Sequence, residues 1–306
     1  MGTAYVMGKR VLLAVNPRAR RGSSAREHVA AALRELGHVV VDAPPDGPPS
    51  ALCDAIRAHR DDVDVVVIGG GDGTLLAALP GLVETKLPVA SVPRGTFNEL
   101  ARTLGVPHAP ADVAALVDDG IPVPIDLGRV NGVYYVNEAS IGLSTQVARL
   151  QTGAVKRSLG MLALPLATLR ALRWMRPLHV EIEAADGTTT RMRAVQVTVA
   201  NSYRFGGVVE NPEASLEDGA LWVYGIDVTG WWHTLRVLAA VIARRFQRAP
   251  EVATLKGPRF TIRSLRGGRH RILADSEEVG RLPASFDVVP RALTVLVPPQ
   301  RVSSIR

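Results

Sequence analysis

The residues best suited to chemistry lie in a glycine-rich segment, Gly69–Thr74, which contains one acidic residue, Asp72. The segment follows an apolar run typical of a buried strand, and a helix is predicted from about Leu75. Consecutive glycines let backbone amides approach a ligand closely, and amides at the start of a helix attract phosphate oxygens. A carboxylate there can hold Mg²⁺ beside the phosphates. The segment predicts a nucleotide-phosphate site, although a turn in which Asp72 or Thr74 caps the helix would have the same sequence.

Two further polar segments follow predicted strands in the same half of the chain. One contains Gly95, Thr96 and Asn98, and the other runs from Asn16 to Arg20. Because parallel strands end at one edge of a sheet, all three segments are expected on a common rim. Arginine suits paired contacts to phosphate, whereas helix caps at Thr96 and Asn98, and a solvated basic loop, are the plainer alternatives. The glycine spacing matches neither a P-loop nor a dinucleotide-binding motif.

The elements that must position these residues alternate between short strands and helices in the first half of the chain. Apolar strands at 10–15, 39–41, 63–68 and 88–92 predict a Rossmann-like parallel α/β nucleotide-binding domain. After Asp126 a hairpin turn at Asn131-Gly132 opens a strand-rich region. Its predicted strands include 191–200, 285–289 and 293–297, and its helices are 157–174 and 232–246. We expect an antiparallel β-sandwich there, with domains 1–126 (to which the tail 291–306 returns) and 127–290.

The composition is that of a globular protein, with 47% hydrophobic and 21% charged residues among 306. A single cysteine, Cys53, excludes an internal disulfide framework and a cysteine-rich metal site. The net charge of +7 favours anionic partners such as nucleotides or phospholipid headgroups, while the scarcity of aromatic residues argues against nucleic acid. With no leader and no run of about 20 apolar residues, we expect a cytoplasmic protein.

Two apolar stretches with arginine-rich ends, 161–176 and 231–246, suit peripheral binding to the inner face of an anionic membrane. Helices that pack on a sheet while their arginines reach into solvent would have the same sequence pattern.

Four motifs occur in one order along the chain: Gly70–Thr74, Pro93–Asn98, Ile125–Gly128 and Asn137–Gly142. With the opening Asn16-Pro17 they resemble the diacylglycerol kinase catalytic domain family, which includes bacterial soluble lipid kinases and sphingosine and ceramide kinases. The resemblance covers nearly the whole chain. It implies transfer of the γ-phosphate of ATP, with Mg²⁺, to a hydroxyl of a diacylglycerol-like or sphingoid lipid.

The resemblance also implies roles for individual residues. The nucleotide would be held by Asn16, Pro17, Arg18, Ala19, Arg20, Gly70, Gly71, Asp72, Gly73, Thr74, Thr96 and Asn98. Asp72, Asp275 and Glu277 would be catalytic, with Glu277 as the general base, and Asp126 would support the Mg²⁺ network. Ser215, Asp218 and Ala220 would hold a second, structural Mg²⁺, for which a plain hairpin turn at Asp218 is the alternative.

Two residues depart from the family pattern. Ser276 replaces the glycine between Asp275 and Glu277, so that a backbone needing positive φ would be strained, and Glu278 is a neighbouring candidate base. Glu99 stands where aspartate is common, which leaves the identity of the acceptor open. A catalytically silent nucleotide- or lipid-binding module is therefore one alternative. The other is a soluble-acceptor kinase similar to NAD kinase, with which the chain shares the Gly70–Thr74 segment. Sheet edges of the second domain could also pair into a homodimer.

Overall fold

The computed structural model describes residues 8–16, 22–44, 49–95, 98–150, 177–206, 209–228 and 230–304. The chain divides into two compact units. Unit 1 comprises Met1–Asp126 and Pro290–Arg306, and unit 2 comprises Leu127–Val289. No helix among the described residues is long and apolar enough to cross a membrane.

Unit 1 is built on parallel strands with helices between them. Its elements, in chain order, are β1 (Arg10–Val15), α1 (Gly22–Glu35), β2 (Val39–Asp42), α2 (Pro49–Ala58), β3 (Val65–Gly70), α3 (Asp72–Thr85), β4 (Val89–Pro93), α4 (Glu99–Leu104), α5 (Pro110–Asp119) and the start of β5 (Ile121–Val130). The strand order is β2-β1-β3-β4, all parallel, and the end of the last strand of the chain adds a parallel pairing beside β4. A 3₁₀ segment, Pro299–Ser304, follows.

Burial explains why the strands of unit 1 read as continuous apolar runs. Every residue of β3 is buried, as expected for a central parallel strand covered on both faces. Helix α3 buries Leu75, Leu79 and Leu82. Cys53 on α2 is buried, and its thiol contacts the carbonyl of Ala77 at 2.9 Å, so it fills the helix interface.

Unit 2 is a sandwich of antiparallel sheets. Its elements are β6 (Val133–Tyr135), β7 (Glu138–Gly142), α6 (Leu143–Leu150), β8 (Leu178–Ala184), β9 (Thr189–Ala194), β10 (Gln196–Ala200), β11 (Arg204–Phe205), β12 (Val209–Glu210), β13 (Leu221–Ile226), α7 (Trp231–Ile242), a 3₁₀ turn (Phe246–Arg248), β14 (Val252–Gly257), β15 (Arg259–Ser264), β16 (Arg271–Ala274), β17 (Glu277–Arg281) and β18 (Ala284–Val297). One sheet has the order β14-β13-β10-β7-β16-β17, and β18-β15-β8-β9 lies in the other. Val197 and Ile272 of the first share one core with Ile182 and Phe260 of the second.

The predicted fold class is confirmed, and the differences concern element boundaries. Helix α3 begins at Asp72 rather than near Leu75, because extended Gly71 ends the strand and starts the helix at once. The predicted strand 191–200 is two strands, β9 and β10, and the predicted strands 285–289 and 293–297 are one, β18. The predicted helix 232–246 ends at Ile242. The predicted helix 157–174 lies outside the described residues.

Candidate active site

The ends of β1, β3 and β4 lie side by side, so the loops that follow them start at one edge of the sheet. The backbone N–H of Asn16 donates to the carbonyl of Gly69 at 2.8 Å, and the N–H of Arg94 donates to the carbonyl of Gly70 at 2.8 Å. These bonds prolong the strand pairing by one residue on either side of the glycine-rich loop. The three loops predicted to share a rim therefore do so where they are described.

Two glycines are needed at this edge because the loops nearly touch. A Cβ atom built on Gly95 would lie 2.5 Å from the Cα of Gly71, and one built on Gly71 would lie 3.0 Å from the Cα of Gly95. A Cβ on Gly70 would lie 2.3 Å from the hydroxyl oxygen of Thr74. The backbones after β3 and β4 can approach this closely only without side chains.

The start of α3 carries no side-chain cap. Gly71 occupies the N-cap position and has no side chain that could accept from the first amides, so neither Asp72 nor Thr74 is the N-cap residue. Thr74 instead accepts a hydrogen bond from the Nδ2 of Asn16 at 3.3 Å. Uncapped amides at a helix start are a favourable environment for phosphate oxygens.

Asp72 connects the glycine loop to the next helix. Its carboxylate accepts the backbone N–H of Glu99, the first residue of α4, at 3.0 Å. Burial raises the pKa of the Asp72 carboxyl, and hydrogen bonds from the amides of Glu99 and Asn98 oppose that rise. Asn98 is the N-cap residue of α4, but its side chain provides no cap. It bonds to Gly95 instead: its Oδ1 accepts the N–H of Gly95 at 2.7 Å, and its Nδ2 donates to the carbonyl of Gly95 at 2.9 Å. The Asp72 carboxylate thus accepts the first amide of α4, and the alternative of a side-chain cap from Asn98 is not observed.

Asp126 is buried at the end of unit 1. Its Oδ1 accepts the backbone N–H of Arg291 at 2.8 Å. Arg291 has φ +49° within β18, which turns its N–H out of the regular strand pattern. The predicted strands 285–289 and 293–297 lie on either side of this irregularity.

The late acidic motif forms the turn between β16 and β17. Ala274 and Glu277 pair directly, and Asp275 and Ser276 are the two turn residues, with φ +43° and +76°. Positive φ at both positions defines a type I′ turn, in which glycine is preferred at the second position. Ser276 thus occupies the backbone conformation that the family glycine would provide, and the hairpin forms in spite of it.

The two adjacent glutamates differ in their surroundings. Glu278 forms an ion pair with Arg271 at 2.6 Å. Glu277 is exposed, and no ion pair or side-chain hydrogen bond joins it to another described residue. Of the two carboxylates, that of Glu277 is the one available to a ligand.

Asp275 anchors the segment before β7. Its buried carboxylate accepts the backbone N–H groups of Val136 at 2.7 Å, Asn137 at 2.9 Å and Glu138 at 3.2 Å. Three amide donors on one carboxylate form a charge-assisted network. The motif containing Asn137 and the motif containing Asp275 are therefore joined directly, which the sequence did not show.

The residues expected to hold a structural Mg²⁺ do not fit that ion in this arrangement. Asp218 accepts the N–H of Ala220 on one carboxylate oxygen, and the Nζ of Lys256 lies 3.2 Å from the other. The indole Nε1 of Trp222 lies 3.4 Å from that same oxygen. The hydroxyl of Ser215 accepts the N–H of Glu217. A divalent ion would have to displace Lys256, which sequence reasoning missed because it is 38 residues away from Asp218.

The remaining predicted nucleotide residues, Pro17, Arg18, Ala19, Arg20 and Thr96, lie outside the described residues.

Comparison with known proteins places this arrangement in a family. Residues 10–130 match the family described as diacylglycerol kinase catalytic domain, and residues 137–297 match the YegS C-terminal NAD kinase beta sandwich-like domain. The chain belongs to this family of two-domain kinases, and it is a kinase whose acceptor is an alcohol group.

Individual relatives agree with the family assignment. A diacylglycerol kinase of Bacillus subtilis (strain 168) is 28% identical over 260 residues, which cover 82% of this chain and 85% of the relative. One of Staphylococcus aureus (strain bovine RF122 / ET3-1) is 26% identical over 251 residues, covering 81% and 79%. A crystal structure of a diacylglycerol kinase from Bacillus anthracis str. Sterne superposes with a TM-score of 0.76 at 23% identity over 96% of this chain and 99% of that one. A second structure from that organism gives 0.80 at 24% identity over 99% of both chains, so the fold is shared.

Proposed function

We propose that this chain is an ATP- and Mg²⁺-dependent lipid kinase that phosphorylates a hydroxyl of a diacylglycerol-like or sphingoid lipid. The observation that carries the proposal is the loop edge of unit 1, where Asp72 is held beside the uncapped start of α3 within a diacylglycerol kinase catalytic domain. The curated relatives that support a lipid acceptor are themselves named diacylglycerol kinase. A NAD-kinase-like activity on a soluble acceptor is the alternative, since residues 137–297 match a domain described as NAD kinase beta sandwich-like.

The donor phosphates would bind the backbone amides at the start of α3. Residues Gly70 to Thr74 would provide this contact, and Asn16 would support it by fixing the Thr74 hydroxyl. Dipoles that are already oriented when the nucleotide arrives stabilise charge that develops during transfer.

The surroundings of Asp72 fit a magnesium ion that is shared with phosphates. No cluster of three or more acidic, histidine or cysteine side chains occurs among the described residues. Mg²⁺ is commonly held by one or two carboxylates together with substrate phosphates and water, so it needs no such cluster. When bound, the ion would neutralise charge on the transferring phosphoryl group. Asp72 would hold it directly or through water, with Asp126 as a more distant support.

Glu277 would act as the general base. Its exposed carboxylate would take the proton of the acceptor hydroxyl as the hydroxyl oxygen attacks the γ-phosphorus, the bond to the bridging oxygen breaks and ADP leaves. Such a base contributes about 10²–10⁴-fold to the rate. Asp275 would act through position, because its carboxylate is occupied by three backbone amides of unit 2.

The test is transfer of the γ-³²P-phosphate of ATP to lipids in mixed detergent micelles, with diacylglycerol, sphingosine, ceramide and soluble acceptors including NAD run in parallel. We expect a labelled lipid with the wild-type chain and a loss of about 10²-fold or more in kcat with Glu277→Gln. Glu278→Gln is the matched control, since Glu278 is paired with Arg271, and it should retain most of the activity.

Three results would contradict the proposal. Labelling of soluble acceptors alone would replace the lipid acceptor with a soluble one. ATP binding without transfer to any acceptor would favour a silent binding module. Full activity of Glu277→Gln with loss in Glu278→Gln would move the base to the neighbouring residue.

A further inference from the structure

Helix α7 (Trp231–Ile242) of unit 2 presents large apolar side chains to solvent. Trp231 is 62% exposed, Trp232 64%, Leu238 52% and Ile242 76%. No residue of the helix is buried, although its sequence is almost wholly apolar. Contiguous exposed apolar side chains on one element mark a surface that has a partner.

The opposite side of the same helix is already attached to the domain. Val237 and Val241 pack against a core cluster that includes Phe205, Tyr224 and Phe246. The core contacts of α7 are thus made by Val237 and Val241, and the outward apolar side chains are not needed for them. Trp231 and Trp232 stack on each other, with their ring centroids 3.8 Å apart.

Basic side chains lie at the end of this helix. Arg244 is 3.5 Å from Glu210, and Arg236 on the helix is paired with the buried Glu251. Arg245 and Arg248 are exposed, and neither forms an ion pair with a described carboxylate. The basic end of the helix thus keeps two unneutralised arginines within a chain of net charge +7.

The dimensions of α7 limit how it can meet a lipid phase. Twelve residues of helix are about 18 Å long, which is short of the ~30 Å hydrocarbon core of a bilayer. Tryptophan favours the boundary between headgroups and acyl chains, and arginine near that boundary is attracted to anionic lipids. These features fit a helix that lies in the membrane surface.

We propose that α7 is the membrane-docking element of this kinase, with its Trp231-Trp232 end and apolar outer side inserted among lipids and Arg245 and Arg248 contacting anionic headgroups. This proposal rests on the proposed lipid-kinase function and names the surface through which the enzyme reaches a bilayer.

The experiment is sedimentation of the full-length protein with vesicles of phosphatidylcholine containing 30% phosphatidylglycerol, and with vesicles of phosphatidylcholine alone. We expect the double variant Trp231→Ala/Trp232→Ala to bind the anionic vesicles on the order of tenfold or more weakly. Arg245→Gln should weaken binding roughly fivefold, and only on vesicles that contain phosphatidylglycerol. Leu265→Ala is the matched control, because Leu265 is 46% exposed in a different part of unit 2, and it should bind like the wild type.

A second readout separates docking from catalysis. Kinase activity toward a short-chain diacylglycerol dispersed in detergent micelles should be unchanged in the tryptophan variant, while activity toward the same lipid in vesicles should fall with vesicle binding. Loss of activity in both assays with vesicle binding intact would overturn the docking role, because α7 would then be needed for the reaction rather than for membrane binding.

Unchanged vesicle binding in the tryptophan variant would overturn the proposal. A wild-type dimer in sedimentation equilibrium that the tryptophan substitutions convert to monomers would also overturn it, since a second copy of the chain would then cover α7. Thermal unfolding of each variant checks that the fold is retained, and substitution of the exposed rings should leave the midpoint nearly unchanged.

Discussion

The carboxylate of Asp72 accepts the backbone N–H of Glu99 across 3.0 Å, so one side chain belongs both to the glycine-rich loop and to the start of α4. The loops after β3 and β4 are thereby held together by a side-chain bond as well as by the contact between Gly71 and Gly95. Asp72 therefore connects the two loops proposed to bind the nucleotide.

Replacement of Asp72 by asparagine should separate stability from activity. Burial raises the pKa of this carboxyl above its ordinary value, so its ionised form is disfavoured in the folded state. Its contribution to stability is present below the unfolded pKa and is lost as the pH rises through the folded pKa. At pH 7, Asp72→Asn should therefore unfold at the same or a higher temperature than the wild type, and this difference should vanish near pH 3. Its kcat/KM should fall about 100-fold, in the range seen when groups around a metal are removed.

The measurements are unfolding temperature against pH and the micelle kinase assay. Asp61→Asn is the control, because the Asp61 side chain is 87% exposed and its replacement should leave the unfolding temperature nearly unchanged. If Asp72→Asn unfolds at a lower temperature than the wild type at pH 7 but not at pH 3, then the charge of Asp72 stabilises the fold.

Removal of the Asp275 carboxylate should destabilise unit 2. Asp275→Ala leaves three backbone amides, those of Val136, Asn137 and Glu138, without their acceptor, and we expect a loss of about 3 kcal/mol in urea unfolding. Asp275→Asn should lose less, because one oxygen remains to accept. Asp186→Ala removes a carboxylate that accepts the N–H of Thr188 in an exposed turn and should have a much smaller effect. Equal losses for the two alanine variants would refute the anchoring role.

Ser276→Gly should stabilise the chain by about 1 kcal/mol, because φ +76° is disfavoured for a residue with a side chain. The chain contains its own control in another hairpin turn, Asn131-Gly132, where Gly132 has φ +89° and a Cβ would contact nothing within 4 Å. Gly132→Ser should therefore destabilise by a similar amount through conformation alone. Urea unfolding of both variants tests this pair, and a destabilising Ser276→Gly would mean that the turn is not of type I′.

Lys256→Met tests how Asp218 is neutralised. The Lys256 ammonium lies 3.2 Å from the Asp218 carboxylate and over the Trp222 ring at 4.9 Å. Without nucleotide, we expect millimolar Mg²⁺ to shift the unfolding temperature of the wild type by less than about 1 °C. The unfolding temperature of Lys256→Met should rise measurably, because ligand binding stabilises the folded state. Arg263→Met, which removes a cation paired with Glu181 and Glu183, is the control. A large Mg²⁺ shift in the wild type would show that the ion displaces the lysine.

Features set by neighbouring residues could be predicted from the sequence. The parallel strands, the turn at Asn131-Gly132 and the convergence of the glycine loops follow from apolar runs and turn chemistry. The family resemblance also indicates that position 276 could require positive φ, because the family has glycine where this chain has Ser276.

Features set by distant residues could not be predicted. Asp275 contacts Asn137 from 138 positions away, and no local pattern records such a bond. Arg291 contacts Asp126 from 165 positions away, and the neutralisation of Asp218 depends on the strand pairing that sets Lys256 opposite Trp222. Each of these is a property of the assembled sheets.

The contact between Gly71 and Gly95 also limits which substitutions this protein can tolerate. A side chain at Gly95 would collide with the backbone of Gly71, and one at Gly71 would force the backbone of Gly95 to shift. A collision between two residues is usually relieved by making the second one smaller. Neither glycine has a smaller replacement. A substitution at one of the two therefore has no compensating change at the other, and we expect variants that keep this loop pair to keep both glycines.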